Sequence, residues 1–441
     1  MAATSSPRTR VMAARGAELV IDKLIPEGKA LGRLPDGRVV IVSGAVPGDH
    51  IALDVVSESK GLVTAQAFRL LAPSPRRITP SCALAERCGG CDWMLLPLVE
   101  QRRHKLEILR EALLRTGKID WQGPLELVSG ERAEAYRCRV RLQIGAGRVG
   151  FYHRGTHQLI EPERCAVSAD ALNAALADLR ALARQHAGAL DTFAWLEVRE
   201  ASDGSVSILL EPRPGERVGP SASAWLQALG HRYHVTLNGQ QTGSTAGWQR
   251  FQLSADTFML SAPQGFVQVN WEVNQQLIAR VLAGVERRGI KTFLDAYAGS
   301  GNFALPLLRR GLSGRAVESN PSAIASAREA ARMQGLDVEA FVAADAAAYA
   351  RGLARERFDL VLADPPRAGL KHGLEPLARV AGGWFLMCSC NPVTLARDLA
   401  RLIALGFELT ELEAFDMFPQ THHLETLAWL RAPTSAHDER A

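Results

Sequence analysis

Two groups of residues in this chain have types and spacings suited to chemistry. In the first, acids and a thiol stand where short β-like runs stop: Asp295, Glu318, Asp345 and Asp364 each end such a run, and Met387-Cys-Ser-Cys-Asn-Pro ends a fifth. Asn391 suits the cap of a following helix and Pro392 its first turn, which puts Cys390 just before a helix N-terminus. Aligned peptide dipoles there lower a thiol pKa and favour the thiolate, so Cys390 is the candidate nucleophile. Cys388, two residues back inside the apolar run, reads as core packing. The second group is Cys82-x5-Cys88-Gly-Gly-Cys91, with Cys165 the next candidate 74 residues on. Four thiolates bind zinc or an iron–sulfur cluster. Spacings of five and two are not the paired Cys-x2-Cys knuckles of structural zinc and no His-x-x-x-His follows, which favours iron–sulfur, with Cys138 a rival fourth ligand.

The acids define what lies beside the thiol. Gly299 and Gly301 stand at the turn between the first strand and its helix, where a ligand approaches the backbone at the carboxyl edge of a parallel sheet. The third glycine of a dinucleotide fingerprint is missing. Glu318, 23 residues after Asp295, is placed to accept both ribose hydroxyls, and Asp345 to accept from an adenine amine. An adenosine cofactor with no pyrophosphate to cradle fits S-adenosylmethionine better than NAD. Enzymes that methylate exocyclic amines carry an aromatic residue after the Asp-Pro-Pro turn, and Arg367 stands there instead, which disfavours amine methylation. A thiolate beside a methyl donor suits the C5 carbon of uracil: addition at C6 makes C5 nucleophilic, and a base then removes the C5 proton. Glu425 on the last strand is the candidate base, with His422 and His423 as alternatives.

The elements that must position these residues follow from pattern. Short β runs from Glu18 to Leu71, broken by Pro, Gly and Asp turns, predict a small β-barrel over 15–75, after a basic tail at 1–14. Residues 76–93 and 124–265 read as a central β-rich domain, in which Arg137, Arg139 and Arg141 alternate with apolar residues along one strand face. Residues 94–123 and 266–441 read as a doubly wound α/β domain whose edge is closed by a hairpin of 407–417 and 423–430. The chain has 441 residues, 22% charged and 47% hydrophobic, which excludes a disordered or collagen-like chain. Lys and Arg exceed Asp and Glu by 51 to 47, but Gln101 to Cys165 holds 13 basic against 8 acidic residues, where an RNA backbone would lie. No run is long and apolar enough for a membrane helix, and Met1–Arg15 has no hydrophobic stretch resembling a secretion signal, so a cytoplasmic protein is expected.

Four segments, Asp295-Ala-Tyr-Ala-Gly-Ser-Gly-Asn-Phe, Asp364-Pro-Pro-Arg-Ala-Gly, Ser389-Cys-Asn-Pro-Val-Thr-Leu-Ala-Arg-Asp-Leu and Asp416-Met-Phe-Pro-Gln-Thr-His-His-Leu-Glu, together resemble the RNA 5-methyluridine methyltransferases. The resemblance implies a class I S-adenosylmethionine-dependent, Rossmann-like domain, an N-terminal barrel of the oligonucleotide-binding TRAM type, and a [4Fe-4S] cluster on Cys82, Cys88, Cys91 and Cys165. It implies Cys390 as nucleophile, Glu425 as base, and cofactor contacts from Gln268, Tyr297, Asn302, Glu318, Asp345 and Asp364. Barrel and cluster together imply 23S rRNA as substrate, with the target uridine flipped out of a loop or single strand. Tyr297-Ala298 stand where the family commonly has Phe-Cys, Asp345 where it has Asn, and Met94 where it has Gln. The alternatives are the same chemistry on another uridine of rRNA or tRNA, and a non-catalytic RNA-binding or redox-sensing iron–sulfur protein.

Overall fold

A computed structural model describes residues 15–238, 248–354 and 356–433; the basic tail expected at 1–14 lies outside them. The chain divides into two compact units. One holds the described chain up to Ile108, with Phe151–Ile160 and Phe418–His423; the other holds Leu109–Gly150, Glu161–Met417 and the chain from Leu424.

In the first unit, strands Glu18–Leu24, Lys29–Arg33, Val39–Ser43, His50–Ser59 and Leu62–Ala72 form a closed barrel. Alternation sends Leu19, Ile21, Val40, Val42, Ile51, Leu53 and Val63 inward, and closure removes the exposed edges a five-stranded sheet would leave.

The second unit is built on an eight-stranded sheet. Its parallel part consists of β1 (Thr292–Ala296), β2 (Ser313–Glu318), β3 (Phe341–Ala343), β4 (Phe358–Ala363) and β5 (Ala381–Ser389), in the order β3-β2-β1-β4-β5. An antiparallel pair follows, β6 (Glu408–Phe415) and β7 (Glu425–Arg431), with β7 against β5 and the two-residue strand Leu127–Val128 outside β6. Helices are laid over the parallel strands, so β1, β4 and β5 read as nearly unbroken apolar runs. The order reverses between β1 and β4, and the carboxyl ends of those strands are where an open α/β sheet takes its ligand.

Helix α1 (Trp271–Arg287) precedes β1, and α2 (Pro392–Ala404) follows β5. The buried face of α2 carries Leu395, Ala396, Leu399 and Leu402 at helical spacing. Burying each leucine contributes about 2 kcal/mol, which fixes the helix N-terminus at the end of β5. The same face buries Asp398, whose carboxylate accepts the Leu370 N–H at 2.7 Å and ties down the loop that follows Asp364.

The interval 124–265, expected to be β-rich, is mixed. It also contains the helices Asp170–Gln185 and Pro220–Gly230. Leu172, Leu176 and Leu179 bury one helical face there, a 3.6-residue period in an alanine-rich stretch. Strand Arg139–Gly145 does alternate as expected, with Val140, Leu142 and Ile144 inward. The arginines opposite are engaged rather than bare: Arg141 stacks on Trp195 at 4.0 Å, Arg139 lies 5.0 Å from the Phe266 ring centre, and both approach Glu197. The buried Arg199 donates to the carbonyls of Ala262, Pro263 and Gly265, which anchors the segment leading to Gln268.

Candidate active site

The loop after β1 carries the first part of the site. Tyr297 has φ +64°, a left-handed conformation that costs an aromatic residue about 1–2 kcal/mol and that cooperative packing must hold. Gly301, at φ +90°, turns the chain into the next helix without a side chain to clash with Leu305. Gln268, Tyr297, Gly299, Asn302 and Asp364 line one small cleft, of about 50 Å³, with Phe266 among its walls. Glu318, at the end of β2, accepts the Gly299 N–H at 3.3 Å and the Asn320 N–H at 2.8 Å, so it shapes the glycine turn from the neighbouring strand. Asp345 lies two residues past β3, and one of its oxygens caps a helix by accepting the Ala348 N–H at 2.8 Å. Sequence reading placed the carboxylate and missed this capping role.

Two supporting residues were also missed. Asn274, fully buried on α1, exchanges two hydrogen bonds with Asn302, at 2.9 and 3.1 Å. An amide at a core position of an amphipathic helix is the signal that would have identified it. Cys138, a rival cluster ligand by sequence, donates its thiol to the Gln268 carbonyl at 3.2 Å, and its backbone N–H bonds Val269. Burial pushes this thiol up to about 12, so it stays protonated and holds the Gln268 segment.

At the carboxyl ends of β4, β5 and β7 the register brings the chemistry together. Ala363 pairs with Met387, and Ser389 with Thr426, so Asp364, Cys388 and Glu425 project from one face of three adjacent strands. Their oxygen and sulfur atoms lie within 4.8 Å of one another. Cys390, two residues beyond Cys388, shares that face. Its helix start is as expected: the Asn391 side chain accepts the Val393 N–H at 3.0 Å, and Pro392 occupies the first turn. Thr394 donates to the Arg367 carbonyl at 3.2 Å, which fastens the Asp-Pro-Pro-Arg turn to this helix.

The electrostatics correct one expectation. The helix start was expected to favour thiolate at Cys390, yet the thiol is pushed up to about 11, first by burial and then by the charges of Glu425 and Asp364, with Arg367 opposing. Neighbouring carboxylates outweigh the dipole because they are full charges in a desolvated site. The carboxyls of Glu425 and Asp364 are themselves raised, by burial in both and in Glu425 also by the Asp364 charge. Asp295, fully buried, is raised by burial and then by Asp364, with the Ala304 N–H opposing. The free Cys390 thiol therefore holds its proton. Alkylation of Cys390 by iodoacetamide is expected to climb about tenfold per pH unit until the thiol ionises near 11, because the thiolate fraction does. Peptide mass spectrometry across pH 7–11 checks this; a plateau by pH 8 would instead show a dipole-stabilised thiolate.

His422, an alternative base by sequence, lies in the first unit and is committed to Asp92 at 2.6 Å. The three cysteines of that unit share one loop. Arg154 gathers it by donating to the carbonyls of Ala85, Cys88 and Cys91, and the Gly90 N–H points at the Cys88 sulfur at 3.4 Å. Cys165 belongs to the second unit, where its backbone is clasped on both sides by the Asn173 amide. None of the seven cysteines is in a disulfide.

Comparisons with known proteins agree with this arrangement. The family described as tRNA (Uracil-5-)-methyltransferase matches residues 252–432. The 23S rRNA (uracil(1939)-C(5))-methyltransferase RlmD of Chromohalobacter salexigens is 33% identical, over 94% of this chain and 89% of that one. The enzyme of the same name from Aeromonas salmonicida is 31% identical over 97% and 99%. Among solved structures, the tRNA (uracil-54, C5)-methyltransferase of Pyrococcus abyssi, in complex with S-adenosyl-L-homocysteine, superposes with a TM-score of 0.74 at 25% identity, covering 94% of this chain and 99% of that one. That tRNA enzyme shares the fold over 94% of this chain, while the full-length relatives named for 23S rRNA share the sequence. What the chemistry at the sheet edge and the full-length relatives have in common is one reaction, and the chain belongs to the S-adenosylmethionine-dependent RNA uracil-C5 methyltransferase family.

Proposed function

We propose that this enzyme methylates C5 of the uridine at position 1939 of 23S rRNA, with Cys390 as nucleophile and Glu425 as base. The observation that carries the chemistry is the Cys390 thiol just past the end of β5, near enough for the buried Glu425 and Asp364 carboxyls to act on it, beside the cleft that Asp364 lines. The identity to full-length rRNA enzymes carries the substrate.

S-adenosylmethionine, when bound, supplies an electrophilic methyl group on a sulfonium. Gln268, Tyr297, Asn302 and Asp364 line the cleft that suits it, with Glu318 and Asp345 at the next two strand ends for ribose and adenine. A donor that is cationic at sulfur fits a cleft that the buried Asp364 carboxyl lines, with Asp295 buried on the next strand. Cys390 gives its proton to solvent and its thiolate bonds to C6 of the flipped uracil, the C5–C6 π pair moving to C5 for methylation. Glu425 then takes the C5 proton, the pair left behind forms the C5–C6 double bond, and the C6–S bond breaks to return the thiolate.

The same reading assigns the barrel over 15–75 to the TRAM type, holding the RNA around the target together with the basic central sheet over 124–265. Cys82, Cys88, Cys91 and Cys165 are read as ligands of a [4Fe-4S] cluster. The fit rests on donor chemistry: four thiols outside any disulfide, a loop whose carbonyls are gathered by Arg154, and an amide aimed at Cys88 sulfur. Anaerobically purified protein is expected to hold about four irons and about four sulfides per chain, and Cys82→Ser to lose them. Zinc in their place would overturn the cluster.

A second substrate, tRNA, is favoured by the end-to-end match to an archaeal tRNA enzyme. Mapping 5-methyluridine in rRNA and tRNA of a strain lacking the gene separates the two. Loss at position 1939 alone is the expected result, and loss confined to tRNA would reassign the substrate.

A further inference from the structure

Cys388 was read from sequence as core, and the reaction does not use it. It is completely buried on β5, among central strands where an alanine or valine would pack as well. Its position is specific. Parallel pairing with β4 sets Asp364 directly beside it, and antiparallel pairing with β7 sets Glu425 on its diagonal, two residues before Leu427. The Cys388 thiol donates to Glu425 Oε1 at 3.4 Å, and its sulfur lies within 4.8 Å of the Asp364 carboxylate. No other side-chain donor to Glu425 is recorded among the described residues.

We propose that Cys388 is a positioning residue for the base: its S–H, held between Asp364 and Glu425, fixes the Glu425 carboxylate and keeps that carboxylate, rather than Asp364, ready to take the C5 proton. This rests on the proposed assignment of Glu425. Two carboxylates this close repel when both are ionised; the thiol favours the charged form of each, and its hydrogen bond is made to Glu425, so it is that oxygen the S–H holds in place. The groups facing Glu425 and Cys388 from the packed strands are Asp364 on β4 and Cys390 on β5, with Arg367 beyond them as the cation acting on Cys390. Of these, the Cys388 thiol is the neutral donor placed against Glu425, and burial keeps it protonated. In the step it serves, the C5–H proton passes to a Glu425 oxygen, the C–H electron pair becomes the C5–C6 double bond, and the C6–S pair returns to the Cys390 sulfur.

The test compares Cys388→Val, Cys388→Ala and Cys388→Ser with the wild type on a 23S rRNA fragment carrying uridine or 5-fluorouridine. Fluorine at C5 leaves no proton to remove, so the fluorinated RNA reports attack and methylation without the base step. Valine and alanine variants are expected to form the fluorouridine adduct at the wild-type rate. On uridine RNA they accumulate methylated covalent adduct on denaturing gels, and the acid limb of turnover moves up by about one pH unit, about tenfold slower on that limb. The serine variant, which keeps a donor, is expected to return most of the way. A wild-type pH profile in the valine and alanine variants would overturn the proposal and leave Cys388 as packing, and a serine variant no better than alanine would do the same. Absence of the fluorouridine adduct in the wild type would instead overturn the proposed reaction, and this inference with it.

Discussion

Cys390→Ala is expected to abolish methyl transfer, with a loss on the order of 10⁴-fold or more. C5 of uracil is a weak carbon nucleophile, and no other group in the site supplies the electron pair that thiolate addition provides. The substitution removes one sulfur from a half-buried position, so the fold and the cofactor cleft, lined by other residues, are expected to survive. Thermal unfolding and S-adenosylmethionine binding should match the wild type, while incorporation of labelled methyl into an rRNA fragment and the covalent adduct with 5-fluorouridine RNA both vanish. Turnover above about 1% of wild type would end the nucleophilic assignment, since a residual of that size exceeds what positioning without covalent attack explains here.

Glu425→Gln is expected to separate the two halves of the reaction. Attack and methylation need Cys390, so the variant should still bind covalently to uridine RNA and methylate it. Release needs the base, so turnover should fall by about 10²- to 10⁴-fold while the methylated adduct accumulates. A variant that turns over normally without accumulating adduct would move the base elsewhere.

Stability gives an independent readout of the same residue. Burial and the Asp364 charge hold the Glu425 carboxyl well above its usual range, so between the ordinary carboxylate range and that raised value the folded protein binds a proton that the unfolded chain does not. Stability therefore falls as pH rises through this window. Glutamine cannot ionise and escapes that loss, so the variant is expected to match the wild type at acid pH and to exceed it in thermal midpoint once pH passes the window. A base that acts only when ionised also places the acid limb of wild-type turnover at the raised value, above pH 4.5.

The raised pKa values of Cys390, Glu425, Asp364 and Asp295 have one physical origin. They lie close together at one sheet edge, where burial raises each of them and the Asp364 charge adds to it in Cys390, Glu425 and Asp295. Bringing a cationic methyl donor beside Asp364 supplies the charge this acid set lacks, so proton loss from the thiol and from the base should become easier in the loaded enzyme than in the free one. The free thiol is correspondingly quiet, which protects a surface-accessible nucleophile from oxidation between turnovers.

Much of the site was legible in the residues because its signals are local. Asn391 and Pro392 mark a helix start by rules that operate within one turn, Gly299 and Gly301 mark a tight turn, and the acids stand at strand ends where apolar runs stop. From these the nucleophile, the cofactor face and the doubly wound class follow by chain position alone. What stayed hidden depends on partners far along the chain: Cys388 and Glu425 are 37 residues apart, Asn274 and Asn302 are 28, and Arg199 meets Gly265 across 66. The helices at 170–185 and 220–230 lie among short strands and turn-rich loops, although Leu172, Leu176 and Leu179 carry the helical period that marks the first of them.

The sequence by itself singled out the candidates for chemistry: one thiol at a helix start, an acid on a late strand, a glycine turn suited to an adenosine cofactor, and four further cysteines proposed as cluster ligands. Only the tertiary structure decided their state. Strand register set Cys388 between two carboxyls, and coverage of the sheet removed the water that would have screened them, so a thiol expected to ionise easily is held protonated. Helix caps and turns are written in neighbouring residues, whereas desolvation and cross-strand pairing exist only once distant segments have packed.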